Sequence, residues 1–355
     1  MKTMDAPRSP QDAPASGTAL DVSSDPAAAA AADQTAPAEE QRPIRYRRRR
    51  FGLPLFLFVL TCLSTLFAGA TQYLPFEFLS FALPFGITDK FEIFPQEPSL
   101  MPLRRQIYTH IGEGLLYMGC VLAILMTHEM GHFLMALLYR VRASLPYFIP
   151  LPISPIGTMG AVIAMDSRIA NRKQIFDIGL AGPLAGLVVA LPIMWIGVQR
   201  MEFAPNGPDS LQLPLAMQLA VQAVHPDKYH AGDGFALSRA NPFLMAGWVG
   251  LLVTGLNMLP VSQLDGGHVT YALLGKKAHW LARGFMGVSL MYLGFQFFAF
   301  GKPPGWILMI ALVLLIGTDH PPTRDDTVKL GWFRTALGYA SLLIPIFCFV
   351  PNLQL

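Results

Sequence analysis

Residues 114–138 read GLLYMGCVLAILMTHEMGHFLMALL. At about 1.5 Å per helical residue this stretch is long enough to cross the roughly 30 Å hydrocarbon core of a bilayer. Its acidic and basic side chains are confined to His128, Glu129 and His132. Such groups are expensive inside a membrane unless they pair with one another or coordinate a metal. One segment therefore predicts both the solvent of the fold and the place of its chemistry.

The rest of the chain agrees with that solvent. Of its 355 residues 53% are hydrophobic and only 14% charged, against roughly 25% charged in a typical soluble domain. Apolar spans recur at 53–73, 177–198, 242–262, 284–300, 304–318 and 333–350, which with 114–138 predict an all-α polytopic membrane protein of six or seven transmembrane helices. Residues 143–165, ASLPYFIPLPISPIGTMGAVIAM, are apolar but carry Pro146, Pro150, Pro152 and Pro155. They forbid a regular helix, so a re-entrant loop or β-hairpin is expected there.

Residues 1–44 are rich in Ala, Pro, Ser and Asp, and read as a disordered cytosolic tail ending at the basic run Arg45 to Arg50. With seven acidic residues and no apolar core, the tail suits neither a transit peptide nor a cleaved signal. Placing it inside puts 19 of the 26 Lys and Arg on inner segments and 7 on outer ones, among the former Arg140, Arg142, Arg172, Lys173, Lys276, Lys277 and Arg334. The net charge of +3 is too small to suggest a nucleic-acid partner. Cys62, Cys120 and Cys348 lie in separate apolar stretches, so any metal must be held by His and carboxylate.

On a helix His128 and His132 stand one turn apart on one face and can present two imidazoles to one zinc ion. Glu129 points past the metal towards water. Zinc lowers the pKa of water to about 7, and a neighbouring carboxylate can take the proton and hand it to a leaving amine. A lone histidine in an apolar helix is usually a packed core residue, but His-Glu-x-x-His carries a mechanism. A third ligand is required, and Asp265 in NMLPVSQLDGGH (257–268) is the candidate, because the second and fourth spans both end inside. His268 is its rival. Asp-Gly-Gly alone more often marks a turn. Asn257 suits a helix-packing hydrogen bond or a group that orients substrate. Small residues at Ala181, Gly182, Ala185 and Gly186 suit close helix packing. Gly157, Thr158, Met159 and Gly160 suit either a plain turn or a strand edge that binds an extended substrate.

In this order and spacing, His128-Glu129-x-x-His132, Pro155-Ile156-Gly157-Thr158-Met159-Gly160-Ala161, Gly182-Pro183 and Asn257-x-x-Pro260 leading into Leu264-Asp265-Gly266-Gly267 resemble the site-2 protease family of intramembrane zinc metalloproteases. The resemblance covers about residues 113–275. It implies one Zn²⁺ held by His128, His132 and Asp265, with Glu129 as catalytic base. It further implies hydrolysis within or near the transmembrane helix of a membrane-tethered, single-span substrate, as in regulated intramembrane proteolysis: release of a transcription factor, or degradation of an anti-sigma factor, often after an upstream site-1-type protease. Residues 199–241 are too few for a PDZ domain of roughly 80–100 residues, so the chain resembles the PDZ-less subgroup that includes plant chloroplast members. The implied domains are the tail, 45–112 with the first helix and its outer loop, a catalytic core over 113–275, and C-terminal transmembrane helices over 276–355. A bacterial inner membrane is expected, with the N-terminus and the site towards the cytosol. The competing expectations are a zinc transporter and an inactive membrane chaperone. No internal repeat supports the first, and the presence of base and ligands opposes the second.

Overall fold

A computed structural model describes residues 51–80, 85–87, 93–95, 101–165, 169–203, 210–230, 234–261, 263–300 and 323–350. All fall in one unit, Arg49–Leu355. The tail over 1–44, its basic run and the span expected at 304–318 lie outside the described residues. The described part is mostly helical, with three two-stranded antiparallel sheets: β1 (Phe85–Ile87) with β2 (Ile93–Pro95), β3 (Tyr147–Leu151) with β4 (Gly157–Val162), and β5 (Ser210–Gln212) with β6 (Gly234–Ala236).

Three described helices are long and apolar enough to cross a membrane: α1 (Gly52–Ala70), α3 (Met101–Leu138) and α4 (Arg172–Gln199). A short α2 (Pro75–Ser80) follows α1. Helix α3 runs 38 residues and breaks its helical dihedrals at His110, so it begins well before the apolar stretch at 114. Its first turns carry Arg104 and Arg105, which a hydropathy reading passes over. Helix α4 starts five residues ahead of the expected 177. A capping box explains this: the Gln174 N–H donates to Asn171 Oδ1 (3.0 Å) and the Asn171 N–H to Gln174 Oε1 (2.9 Å).

The span expected at 242–262 is a shorter helix, α6 (Pro242–Asn257), following the surface helix α5 (Leu215–Val224). Asn241 caps its start, and the chain leaves the helix at Met258, two residues before Pro260 would break it. Most of α6 is buried, from Leu244 through Leu252 without interruption, so it forms the centre of the bundle with α3 and α4 around it. A turn leads to α7 (Asp265–Leu274), then α8 (Ala278–Phe300). The span expected at 333–350 is divided between α9 (Trp332–Ser341) and α10 (Ile344–Cys348), the break falling ahead of Pro345.

The proline-rich segment is a hairpin of β3 (Tyr147–Leu151) and β4 (Gly157–Val162), paired from Tyr147↔Val162 to Leu151↔Gly157 with a bulge between Phe148 and Pro150. Its turn is pinned by two helices: Ser64 of α1 donates to the Gly157 carbonyl (2.5 Å) and Tyr117 of α3 to the Ile156 carbonyl (2.8 Å). The far end of β4 thus lies beside the polar residues of α3.

Candidate metal centre

His128 and Glu129 are 3% and 4% exposed in the C-terminal third of α3. Facing them is Asp265, the first residue of α7, where a carboxylate is also favoured by the helix dipole. The turn that delivers it is tight. A side chain at Gly266 would stand 2.1 Å from the Met258 carbonyl oxygen, so only glycine lets α7 begin this close to the end of α6.

Three donors converge. His128 Nε2 lies 3.2 Å from Asp265 Oδ2, His132 Nε2 lies 3.2 Å from Asp265 Oδ1, and the two imidazole Nε2 atoms are 3.2 Å apart. Ligands about 2.0–2.1 Å from a tetrahedral zinc ion are about 3.3–3.4 Å from one another. The two imidazole nitrogens are therefore spaced like two ligands of one zinc ion, each with an oxygen of the Asp265 carboxylate beside it, and the three residues form a group that could hold a metal ion.

The imidazoles are oriented by the neighbouring helices. His132 Nδ1 is 2.7 Å from the Ile178 carbonyl of α4. A carbonyl cannot donate, so Nδ1 carries the proton and Nε2 keeps its lone pair for a metal. Asn257, at the end of α6, places Nδ2 3.2 Å from His128 Nε2. On α4, Gly182 faces the other ligand: a Cβ there would stand 2.0 Å from His132 Nε2. The small residues of α4 do serve close packing, but what packs against Gly182 is the His132 ring.

An open cavity of about 350 Å³ adjoins the triad, lined also by Glu129, Asn257 and His268 and by residues 161–165. The structure thus brings together His128, Glu129, His132, Asp265 and Asn257. His268 lies on the cavity wall outside the ligand group. Gly157, Thr158, Met159 and Gly160 are placed differently. Gly157 is held against α1, and Thr158 is buried with its hydroxyl donating to the Ile149 carbonyl. The part of the hairpin that reaches the cavity is Ala161 to Met165. Among the described residues β4 pairs with β3 alone. The Ile178 carbonyl carries no side-chain signal, and sequence reasoning missed it.

Residues 116–299 match the model of peptidase family M50. The chain is 30% identical over 310 residues to a protein of Arabidopsis thaliana named probable zinc metalloprotease EGY1, chloroplastic, covering 85% of this chain and 53% of the relative. To the protein of the same name from Oryza sativa subsp. japonica it is 28% identical over 310 residues, covering 85% of this chain and 50% of the relative. A third relative, probable zinc metalloprotease EGY2 of A. thaliana, is 29% identical over 239 residues, or 64% of this chain and 40% of its own length. The chain thus spans about half the length of the first two.

Proposed function

The chain belongs to peptidase family M50, and from that premise we propose that it is an intramembrane zinc metalloprotease. It would hydrolyse a peptide bond within or near the transmembrane helix of a single-span membrane protein. The observation that carries this reading is the convergence of His128, His132 and Asp265 beside Glu129 in an open cavity among apolar helices.

His128, His132 and Asp265 would hold the ion, which supplies Lewis acidity to polarise the scissile carbonyl and the attacking water. Glu129 takes the proton from water and returns it to the amide nitrogen as the C–N bond breaks. Asn257 supplies an amide to orient the substrate carbonyl at the cavity. A helical substrate has its carbonyls engaged, so it must be extended before attack. Residues 161–165 offer a template for this. Ala164 faces the chain ahead of β3, accepting from the Ser144 N–H (2.9 Å) and donating to Ser144 Oγ (3.0 Å). Alternation turns the N–H and C=O of Ile163 and Met165 to the opposite edge, where an extended segment can add as a strand.

We assign the catalytic core to 113–275, the tail to 1–44, the first helix and its outer loop to 45–112 and further transmembrane helices to 276–355, for six or seven spans in all. The acidic residues of the tail favour a bacterial plasma membrane, and the charge tally supports a cytosolic Lys- and Arg-rich side, which topology reporters fused after residues 140, 205 and 276 would check. The substrates fitting this reading are tethered regulators, such as a transcription factor or an anti-sigma factor, trimmed first by a site-1-type protease. Quantitative membrane proteomics of cells carrying wild type or Glu129→Gln tests it. Accumulation of one single-span protein or its membrane stub only in the variant is expected. Identical membrane proteomes, in cells where upstream trimming has been triggered, would overturn it in favour of zinc transport.

A further inference from the structure

Asp177 of α4 immediately precedes Ile178, whose carbonyl holds the Nδ1 proton of His132. Three elements meet at its carboxylate. Arg334 of α9 donates Nε to Oδ1 at 2.8 Å and Nη2 to Oδ2 at 2.9 Å, a two-pronged fit that only a guanidinium makes. Tyr139, the residue following α3, donates its hydroxyl to Oδ2 at 2.5 Å. Helix α3 is therefore fastened to two adjacent residues of α4, by His132 at Ile178 and by Tyr139 at Asp177. Seven residues, about two turns, separate the two attachments on α3.

The segment that delivers Arg334 also ties α4 to α7. The Arg324 N–H donates to the Ala170 carbonyl (3.0 Å), and the Asp325 carbonyl accepts from the Arg172 N–H (3.3 Å). Tyr271 of α7 donates to Asp326 (2.9 Å), and the Leu330 side chain is buried with Phe176 and Leu180 of α4 and Val269 and Ala272 of α7. The Arg172 guanidinium closes the join by donating to the Ala272 and Leu273 carbonyls at the end of α7. Residues 323–334 thus clasp the helix that orients His132 to the helix that begins with Asp265.

We propose that Asp177 is a positioning residue for the metal centre: held by Arg334 and Tyr139, it fixes the Ile178 carbonyl against His132 Nδ1 and so keeps Nε2 turned towards the other two donors. This rests on the zinc reading of the triad. The Asp177–Arg334 pair is 15% and 35% exposed, and pairs that reach solvent contribute little to global stability. Its loss is expected at the metal instead.

The test uses the full chain in detergent, with zinc affinity read by chelator competition and coordination read from the visible spectrum of the Co²⁺-substituted protein. Asp177→Asn is expected to bind zinc at least ~10-fold more weakly than wild type, the scale set by loss of an outer-shell partner, and to show an altered cobalt spectrum. Arg334→Gln and Tyr139→Phe should shift both readouts in the same direction by less, and they answer the question if Asp177→Asn does not fold. Asn241→Ala removes the cap of α6 and the amide on the Gly197 and Arg200 carbonyls at the other end of α4. It should lower Tm with wild-type zinc affinity. An Asp177→Asn protein with a lowered Tm, zinc affinity within twofold of wild type and an unchanged cobalt spectrum would reduce Asp177 to a structural role and overturn the proposal. A wild-type chain that binds no zinc would instead overturn the metal reading beneath it.

Discussion

Gly182→Ala adds one methyl group to α4 where it approaches the His132 ring. The new Cβ would stand 2.0 Å from His132 Nε2 and 2.4 Å from both ring carbons beside it. Carbon contacts settle at about 3.5–4.0 Å, so the ring, or the helix that carries it, must retreat by about 1.5 Å. Metal–ligand distances tolerate about 0.2 Å. The displacement also strains the 2.7 Å bond from His132 to Ile178, which sets the imidazole's orientation. Zinc affinity should therefore fall by more than the roughly 10–100-fold that loss of an outer-shell partner costs. Stability of the metal-free chain should change far less: overpacking costs about 1–3 kcal/mol, and the gain in helix propensity returns up to about 1 kcal/mol. The assay pairs zinc competition with Tm of the apo protein. Gly119→Ala is the control, since a Cβ there meets nothing within 4 Å. A Gly182→Ala protein that binds zinc as tightly as wild type and cleaves at the same rate would refute the packing of α4 on His132.

Three further outcomes are expected. Glu129→Gln should bind zinc within a fewfold of wild type while losing about 10²–10⁴ in rate, the usual share of a general base, as measured by cleavage of a substrate helix in detergent. Stripping the metal with a chelator should abolish cleavage, and zinc at about 100 times its Kd should restore it and stabilise the fold by about 2.7 kcal/mol, visible as a rise in Tm. Burial and the Asp326 carboxylate push the Tyr271 phenol up to about 12. Because that value is raised above an ordinary tyrosine, near 10, its contribution to stability is complete below about pH 10 and is lost as pH climbs towards 12. Tyr271→Phe should flatten that alkaline limb of the Tm profile, and an unchanged limb would assign it elsewhere.

What the sequence made legible is whatever depends on local pattern. His128 and His132 share a helix face by spacing alone, four prolines turned 143–165 from a helix into a hairpin, and alternation of spans brings Asp265 towards the histidines, beside which the structure places it. Helix limits were missed where the signal was polar, as at the Asn171–Gln174 box, or where a proline acts from a distance, as Pro260 does on α6. In the sequence, Gly157 to Gly160 suit either a plain turn or a strand edge. Which stretch of a strand borders a cavity is a tertiary property, and it is 161–165. Arg334 counted in the sequence only as one positive charge on an inner segment. Its partner, Asp177, lies 157 residues away, and no local pattern connects them.

The donors of the triad are far apart in the chain: Asp265 follows His128 by 137 residues. At a synthesis rate of roughly 5–20 residues per second, Asp265 leaves the ribosome about 7–27 s after His128. Throughout that interval the emerging polypeptide holds the two imidazoles without Asp265, so the three-residue group is incomplete. It follows that metal capture is ordered in time behind assembly of the bundle. On the proposed reading, a newborn copy passes through the insertion machinery, crowded with other nascent helices, before its metal group is complete.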